Sequence, residues 1–449
     1  MKIGLLHFRV YETDGVSLEM DKWRYAFEKL GHEVVYISGS ESDRENHIYI
    51  EELYYKAEYN KIIYENAFKK LIDFNDETDL LAHIFSLAKT IEEKLKDIIL
   101  NNKIDVLVPN NISSLGFNLP VGIAIGELNK KECVNFIYHH HDFYFERIRY
   151  SNPLFASIQD ILDSYFPYKG NAIHCTINEI AKSELIRRRG IIANVIPNVF
   201  DFNQDLWEKD DYNNDLRSKL RINESDLVFL QATRIVKRKG IELGYLILET
   251  FSSELKNHIG EELYSGYTVS KDTKVHLVLA GLNEYEGDFE SLDKLINRSD
   301  IVVHYINDIV DHNRGCINGN KVYSLWDVYT MCDFITYPSV LEGWGNQLLE
   351  GLFARKPILV FEYPVFKSDI SEYGFNLTTF STSLVSDPKT ELLTLDKNIR
   401  VKKSKEIYNV LFNSDVYQLN VSRNFEIAKK SLSYDALINL LKPFIEKLK

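Results

Sequence analysis

Short apolar runs alternate with longer amphipathic stretches along most of this chain. Runs rich in Val, Ile and Leu are typical of buried strands, and apolar residues at three- and four-residue spacing are typical of helices. The predicted strands are residues 3–8, 34–38, 105–109, 135–138, 172–176, 194–196, 227–232, 275–280, 301–305, 334–337 and 357–361. The predicted helices are residues 18–30, 60–71, 78–100, 119–128, 155–165, 179–188, 241–251, 289–296, 321–331 and 346–354. Strand–helix alternation of this kind predicts an α/β protein with doubly wound parallel sheets.

The alternation is interrupted at residues 195–201, where Pro197 restricts the residue before it and breaks the pattern. We therefore predict two Rossmann-like domains, residues 1–199 and 200–433, that face each other across a cleft. The 449 residues are enough for two domains with separate cores. An amphipathic stretch at residues 434–449 predicts a final helix.

The predicted helix 78–100 is the longest one. Six of its apolar residues recur at roughly helical spacing, and we expect them to face the core of the first domain. These residues are Leu81, Ile84, Phe85, Ala88, Ile91 and Leu95.

Charge and composition narrow the class of protein. The net charge of −13 argues against general nucleic-acid binding. The apolar runs are well short of the roughly 18 residues that a membrane span needs, and the first residues lack the pattern of a signal peptide. The four cysteines are widely spaced, so neither a disulfide framework nor a zinc site is expected. We expect a cytoplasmic protein with at most peripheral membrane contact, through the basic residues near 182–189.

Two carboxylates bracket a glycine-rich turn in the second half of the chain. Glu342 lies in the loop after the predicted strand 334–337, and Glu350 lies about one turn into the helix that follows. Gly343 and Gly345 allow the backbone to come close to a ligand. The free N–H groups of the first helical turn can then bind an anion. This stretch is the strongest candidate site in the sequence.

A second candidate is the basic loop at residues 233–240, which follows the predicted strand 227–232. Arg234 and Lys239 belong to a group of four basic residues within six positions, and Gly240 follows directly. An Arg side chain can fork onto two phosphate oxygens, and Lys acts as a point charge. The loop therefore suits a diphosphate.

Polar residues also follow the strands of the first domain. Three adjacent histidines, His139 to His141, come after the predicted strand 135–138. Extended residues alternate between faces, so we expect no metal site there. Nearby polar residues that could contact a substrate, or form salt bridges and turns instead, are Asn110, Asn111, Asp142, Glu146, Arg147 and Arg149.

Residues 338–351 read Pro-Ser-Val-Leu-Glu-Gly-Trp-Gly-Asn-Gln-Leu-Leu-Glu-Gly. This resembles the Glu-x7-Glu motif of the retaining glycosyltransferases of family GT4, roughly Pro-Ser-x-x-Glu-Gly-Phe-Gly-x-x-x-Leu-Glu-Ala. Residues 233–240 resemble the family pattern Gly-Arg-Leu-x-x-x-Lys-Gly, and residues 196–201 resemble its domain junction, Ile-Pro-Asn-Gly-Val-Asp, with Val199 in place of Gly. Arg355 also replaces a family Gly, and a later Gly-Gly-x-x-Glu region is missing, which leaves the donor sugar open.

The resemblance implies the GT-B fold, in which a final helix often packs back on the first domain. It implies catalytic roles for Glu342 at the transferring sugar, for Arg234 and Lys239 at the leaving diphosphate, and for His141 at the donor sugar. It also implies that Glu350 binds the ribose of the donor and that the residues of the glycine-rich turn bind the donor. The loop after the first strand is less similar to the family, and there a donor-binding role is implied for Gly15. The turn residues are Gly343, Trp344, Gly345 and Asn346. Acceptor contacts are expected from Asp142, Arg147, Asn110 and Asn111.

The expected function is transfer of a glucose- or mannose-type hexose from a nucleotide-diphosphate sugar to a hydroxyl acceptor, such as a sugar, a glycan or a small glycoside. No cofactor or metal is expected, since cationic side chains can neutralise the diphosphate. The alternatives are a GT-B phosphorylase or a sucrose- or trehalose-type synthase, and a catalytically silent subunit that binds sugar nucleotides. The nucleotide base, the acceptor and the oligomeric state are not encoded in any readable motif.

Overall fold

The computed structural model describes residues 1–10, 15–43 and 45–448. The chain forms two compact units. The first unit comprises residues 1–199 and 434–449, and the second comprises residues 200–433. Residues 11–14, which directly precede Gly15 in the loop after the first strand, lie outside the described ranges.

The first unit contains a parallel sheet of seven strands in the order β3-β2-β1-β4-β5-β6-β7. The strands are β1 (Lys2–His7), β2 (Glu33–Ser38), β3 (His47–Tyr49), β4 (Val106–Pro109), β5 (Asn135–His140), β6 (Ile173–Thr176) and β7 (Ala193–Val195). The helices are α1 (Gly15–Lys29), α2 (Glu58–Phe68), α3 (Glu77–Asn102), α4 (Leu119–Lys130), α5 (Ala156–Tyr165), α6 (Glu179–Arg189) and the C-terminal α14 (Tyr434–Lys447).

Helix α14 belongs to the core of the first unit although it ends the chain. Its residues Leu437, Leu441 and Ile445 are buried in one apolar cluster with Trp23 and Phe27 of α1. Burial of these side chains against α1 explains why the last helix joins the first unit.

We expect Leu441→Ala to lower the free energy of unfolding of the first unit by about 2–5 kcal/mol, because it leaves a cavity at a fully buried position. Urea denaturation measures the change. The matched control is Leu440→Ala on the same helix, where the side chain is exposed and the expected change is within about 0.5 kcal/mol. Equal stability of the two variants would contradict the packing of α14 on α1.

The second unit contains a parallel sheet of six strands in the order β10-β9-β8-β14-β15-β16. Its main strands are β8 (Leu227–Gln231), β9 (Val275–Leu279), β10 (Val302–Tyr305), β14 (Phe334–Tyr337), β15 (Ile358–Phe361) and β16 (Thr378–Phe380). A small separate sheet is formed by β11 (Val310–Asp311), β12 (Gly315–Ile317) and β13 (Asn320–Ser324). The helices are α7 (Leu216–Lys219), α8 (Ile241–Leu255), α9 (Phe289–Ile296), α10 (Leu325–Met331), α11 (Asn346–Phe353), α12 (Lys397–Leu411) and α13 (Ser414–Ser431).

Each sheet has one point at which the strand order reverses. In the second unit the chain runs outward from β8 to β9 and β10, and then returns to β14 on the other side of β8. In the first unit the same reversal lies between β1 and β4. Ligands of open α/β sheets bind at such points, outside the carboxyl ends of the strands. We therefore expect ligands to bind at the loops after β8 and β14 in the second unit, and at those after β1 and β4 in the first.

Two predictions need correction. Residues 321–324 were predicted as the start of a helix but lie in strand β13, and the helix begins at Leu325. Phe85 was predicted to be buried but is 45% exposed, while Leu80 and Ile99 complete the buried face of α3. The pattern also did not indicate β3, the small sheet, β16, α12 or α13. No helix in the described ranges is long and apolar enough to cross a membrane.

Candidate active site

The loops after the adjacent strands β8 and β14 contact each other directly. The backbone N–H of Val340 donates a hydrogen bond to the carbonyl oxygen of Arg238 at 2.9 Å. Gly240 has a φ of +57°, and a Cβ at this position would lie 2.5 Å from the carbonyl oxygen of Pro338. A glycine is required there both by the backbone conformation and by the close approach of the second loop.

The contact of the loops brings Glu342 against two cations. Lys239 Nζ donates to Glu342 Oε1, and both side chains are only 10% exposed. Arg238 Nη1 donates to the other carboxylate oxygen at 3.0 Å. Each oxygen of Glu342 therefore has its own positively charged donor, which fixes the carboxylate in one orientation.

Electrostatics keeps Glu342 ionised. Burial alone would raise the pKa of its carboxyl, but the charges of Lys239 and Arg238 hold that pKa below its usual value. Burial lowers the pKa of Lys239, and Glu342 opposes this shift. At neutral pH the site therefore holds a carboxylate in a water-poor pocket between two cations, where charge interactions are stronger than in water.

The remaining basic residues of the loop are also paired. Arg234 Nη1 lies 2.6 Å from Glu284 Oε2, and Lys237 Nζ lies 2.7 Å from Glu391 Oε2. The four cations face three carboxylates, which leaves one net positive charge. The Arg234 and Glu284 side chains are 53% and 45% exposed, so this pair is weak and can be exchanged for a bound anion.

Gly345 sets the start of helix α11. Its φ is +129°, and a Cβ there would lie 2.6 Å from Tyr363 Oη and 2.9 Å from Tyr337 Oη. Tyr363 Oη donates a hydrogen bond to the carbonyl oxygen of Trp344 at 2.5 Å. Two buried tyrosines thus hold the turn immediately before the helix, whose first N–H groups point toward the same loop region.

Glu350 lies on the fifth residue of α11, and its Oε2 accepts a hydrogen bond from Tyr329 Oη at 2.7 Å. Burial and this carboxylate raise the pKa of Tyr329, which therefore stays a neutral donor. Trp344 Nε1 and the amide of Gln347 are buried without a hydrogen-bond partner among the described residues. Polar atoms left in this way beside a helix N-terminus are available to a bound molecule.

In the first unit, Asn111 organises the loops after β4 and β5. Its Oδ1 accepts from the backbone N–H groups of His141 and Asp142 at 3.0 and 3.3 Å, and its Nδ2 donates to Asp142 Oδ1 at 2.7 Å. The other oxygen of Asp142 accepts from Arg147 Nε at 2.7 Å. The charge of Arg147 is therefore already neutralised within the protein.

The side chains of the three adjacent histidines do not meet at one site. The ring of His139 stacks on Trp23 at 4.1 Å and lies 3.1 Å from Asn110 Oδ1, whereas His140 contacts Ser114 and His174. Burial lowers the pKa of His139 and of His140 well below the usual value, so both rings are neutral at physiological pH. The ring of His141 lies beside that of His139, with centroids 4.4 Å apart. Within the described ranges no group of His, Cys, Asp and Glu is arranged to hold a metal ion.

The structure thus places the predicted residues in two groups. In the second unit Lys239 contacts Glu342, and Arg234 contacts Glu284. The turn and Glu350 follow Glu342 directly along the chain. In the first unit, five predicted residues lie at the carboxyl ends of β4 and β5, namely Asn110, Asn111, His141, Asp142 and Arg147. Gly15 is the first residue of α1. Residues that the sequence did not single out are Arg238, Tyr329, Tyr337 and Tyr363. Of these four residues, only Arg238 could have been noticed in the sequence, because it belongs to the basic loop at residues 233–240.

Comparison with solved structures shows which fold the chain shares with known proteins. The UDP-glucose complex of HepE from Anabaena matches the whole of this chain and the whole of its own, with a TM-score of 0.56 at 13% identity. At that identity the likeness concerns the fold, which is the GT-B fold of glycosyltransferases. No known family model matches the chain.

Two relatives identify the family. Mannosylglucosylglycerate synthase of Petrotoga mobilis is 39% identical over 416 residues, which cover 92% of this chain and 94% of the relative. The synthase of the same name from Thermotoga maritima is 35% identical over 446 residues, which cover 98% and 99% of the two chains. The protein belongs to this family of synthases and is a nucleotide-sugar glycosyltransferase of family GT4.

Proposed function

We propose that the protein transfers a mannosyl group from a nucleoside diphosphate mannose to glucosylglycerate, giving mannosylglucosylglycerate. The observation that carries this proposal is the identity of 39% and 35%, over nearly the full length, with two synthases named for that product. Glucosylglycerate is a small glycoside with free hydroxyl groups, as the expected acceptor class requires.

In this proposal the candidate residues of the second unit bind the donor and stabilise the transition state. Glu350 binds the ribose hydroxyls, and the N–H groups at the start of α11 bind sugar and phosphate oxygens. Arg234 and Lys239 stabilise the departing diphosphate, which is electrostatic stabilisation of developing negative charge. Glu342 lies beside the transferring sugar and stabilises its developing positive charge.

The proposed stereochemical outcome is retention. The leaving phosphate accepts the proton of the acceptor hydroxyl on the same face of the sugar, so no separate protein base is required. Because Arg234, Lys239 and Arg238 supply the positive charge, transfer proceeds without a divalent metal. Undiminished transfer after EDTA treatment, and an NMR spectrum showing the donor's anomeric configuration in the product, are the expected results.

The donor is tested by thermal shift against UDP, GDP and ADP and their glucose and mannose conjugates. We expect one mannose conjugate, at about 100 times its Kd, to stabilise the protein by about 2.7 kcal/mol, and Arg234→Ala to lose most of this shift. The matched control is Arg298→Ala, which removes another exposed arginine paired with a carboxylate, Glu249, in the same unit. A full shift in Arg234→Ala would remove Arg234 from the donor site.

A product assay completes the test. Incubation of the protein with the stabilising donor and glucosylglycerate should give the mannosylated product by mass spectrometry. Transfer of glucose in place of mannose, or transfer only to other acceptors, would overturn the proposed function while leaving the GT-B glycosyltransferase class intact.

A further inference from the structure

Four aromatic rings form a continuous group at the carboxyl edge of the sheet in the first unit. Tyr55 stacks on Phe117 at 5.3 Å, Phe117 meets Tyr150 edge-on at 5.9 Å, and Tyr150 meets Tyr64 edge-on at 6.2 Å. We name these four rings the aromatic shelf. Phe117 lies in the loop after β4, which flanks the point of strand reversal. The shelf therefore occupies the edge at which ligands of open α/β sheets bind.

The guanidinium group of Arg149 rests on this shelf. Its central carbon lies 4.7 Å from the ring centre of Tyr64, 5.0 Å from that of Phe117 and 5.1 Å from that of Tyr150. Contact with three rings attracts the cation and restricts its long side chain. The planar fork of the guanidinium is thereby held in one place before any ligand arrives, which reduces the entropy lost on binding.

Arg149 also differs from its neighbours in its ion pairs. Within the described part of the chain, no carboxylate lies within 4 Å of its guanidinium, whereas Arg147 is bonded to Asp142 and Lys69 is paired with Glu65. Lys56 lies over Tyr55, so the shelf carries further positive charge. An exposed, preorganised guanidinium in a positive surrounding suits a planar anion that it can bind through two parallel hydrogen bonds.

We propose that Arg149 binds the carboxylate of the acceptor and makes the enzyme selective for acidic glycosides. This inference rests on the proposed function, because the glycerate part of the acceptor supplies the carboxylate. It separates Arg149 from Arg147, whose charge Asp142 already neutralises. Arg149 acts on acceptor selection, and the donor site of the second unit is independent of it.

The test compares two acceptors that differ only in the group concerned. Glucosylglycerate carries the carboxylate, and glucosylglycerol carries a hydroxymethyl group in its place. We expect wild-type kcat/KM to favour glucosylglycerate, and Arg149→Gln to lower kcat/KM for that acceptor by about 10- to 100-fold, the loss expected for a hydrogen-bonded charge pair. The values for glucosylglycerol and the KM for the donor should not change. Arg149→Lys should recover part of the loss, because it restores the charge without the fork.

The matched control is Arg188→Gln. Arg188 is another exposed arginine of the first unit, and its guanidinium lies 4.6 Å from the ring centre of Phe145 while pairing with Glu184. It should show wild-type kinetics with both acceptors. Equal losses for both acceptors in Arg149→Gln, or an unchanged preference, would overturn the inference alone. A wild-type enzyme that transfers sugar to neither acceptor would overturn the proposed function and the inference with it.

Discussion

Replacing Glu342 with Gln is expected to lower kcat by about 10²- to 10³-fold, the usual cost of removing one preorganised electrostatic group from an active site. The same change should destabilise the second unit, because the Lys239 side chain is only 10% exposed and would lose its counter-charge. Breaking a buried ion pair from one side typically costs about 3–5 kcal/mol. Steady-state kinetics and urea unfolding measure the two effects separately.

The double variant Lys239→Met with Glu342→Gln separates catalysis from stability. Removing both charges of a buried pair is often close to neutral, so the double variant should regain most of the stability that either single variant loses. It should regain no activity, because both roles at the donor are gone. If the double variant is no more stable than the singles, coupling between the two side chains is not the cause of the loss.

The control for this series is Glu284→Gln, which breaks the exposed pair with Arg234 in the same loop region. Exposed pairs contribute about 0–1 kcal/mol, so its free energy of unfolding should stay within that range of the wild type. Wild-type kcat in Glu342→Gln would remove Glu342 from the catalytic group, whatever its effect on stability.

The pH dependence of stability gives an additional readout of Glu342. Its pKa in the folded protein is lowered from the usual 4.5, so its ionised form contributes stability above about pH 4.5. This contribution is lost as the pH falls through the folded-state pKa. The wild type should therefore lose more stability between pH 5 and pH 3 than Glu342→Gln does.

The sheet strands were predictable because parallel strands are buried on both faces. Phe229 of β8 pairs with Phe334 of β14, and both residues belong to uninterrupted apolar runs. Strand β3 reads His-Ile-Tyr over three edge residues that are not fully buried, so its pattern carries no comparable signal. Edge strands are short and partly polar for physical reasons, and they are therefore the ones that a pattern misses.

The two local errors have identifiable causes. Phe85 directly follows Ile84, which places it about 100° around the helix from the buried face, and it points to solvent. The start of α10 was placed too early, although a capping box marks it. The Ser324 side chain accepts from the N–H of Asp327, and the Asp327 carboxylate accepts from the N–H of Ser324. The Ser-x-x-Asp spacing was a readable signal.

The two main segments of the candidate site could be recognised in the sequence, but the contacts between them could not. The motif around Glu342 and the loop around Lys239 could each be recognised locally. Their contact joins positions 103 residues apart, and it depends on β8 and β14 being neighbours in the sheet. For the same reason no local pattern could indicate that Arg238 contacts Glu342 while Arg234 turns to Glu284. Strand order decides which side chains meet.

The buried turn before α11 makes Gly345→Ala the second substitution with a large expected effect. The backbone there has a φ of +129°, which an alanine adopts only under strain, and the new Cβ would lie 2.6 Å from Tyr363 Oη. Strain of about 1–3 kcal/mol and overpacking of similar size should together destabilise the second unit by about 2–6 kcal/mol. The first N–H groups of α11 should also shift, and we expect donor KM to rise at least about 10-fold because misplacement of binding groups is costly.

Gly315→Ala is the matched control for this substitution, since it makes the same chemical change in the same unit. Gly315 is exposed in β12, and a Cβ at that position has no neighbour within 4 Å. Its melting temperature and donor KM should equal those of the wild type, whereas Gly345→Ala should melt about 5–15 °C lower. A Gly345→Ala protein with normal melting and normal donor KM would show that the turn can move without loss. The start of α11 would then have no special role in donor binding, and the anion would have to be held by the basic loop alone.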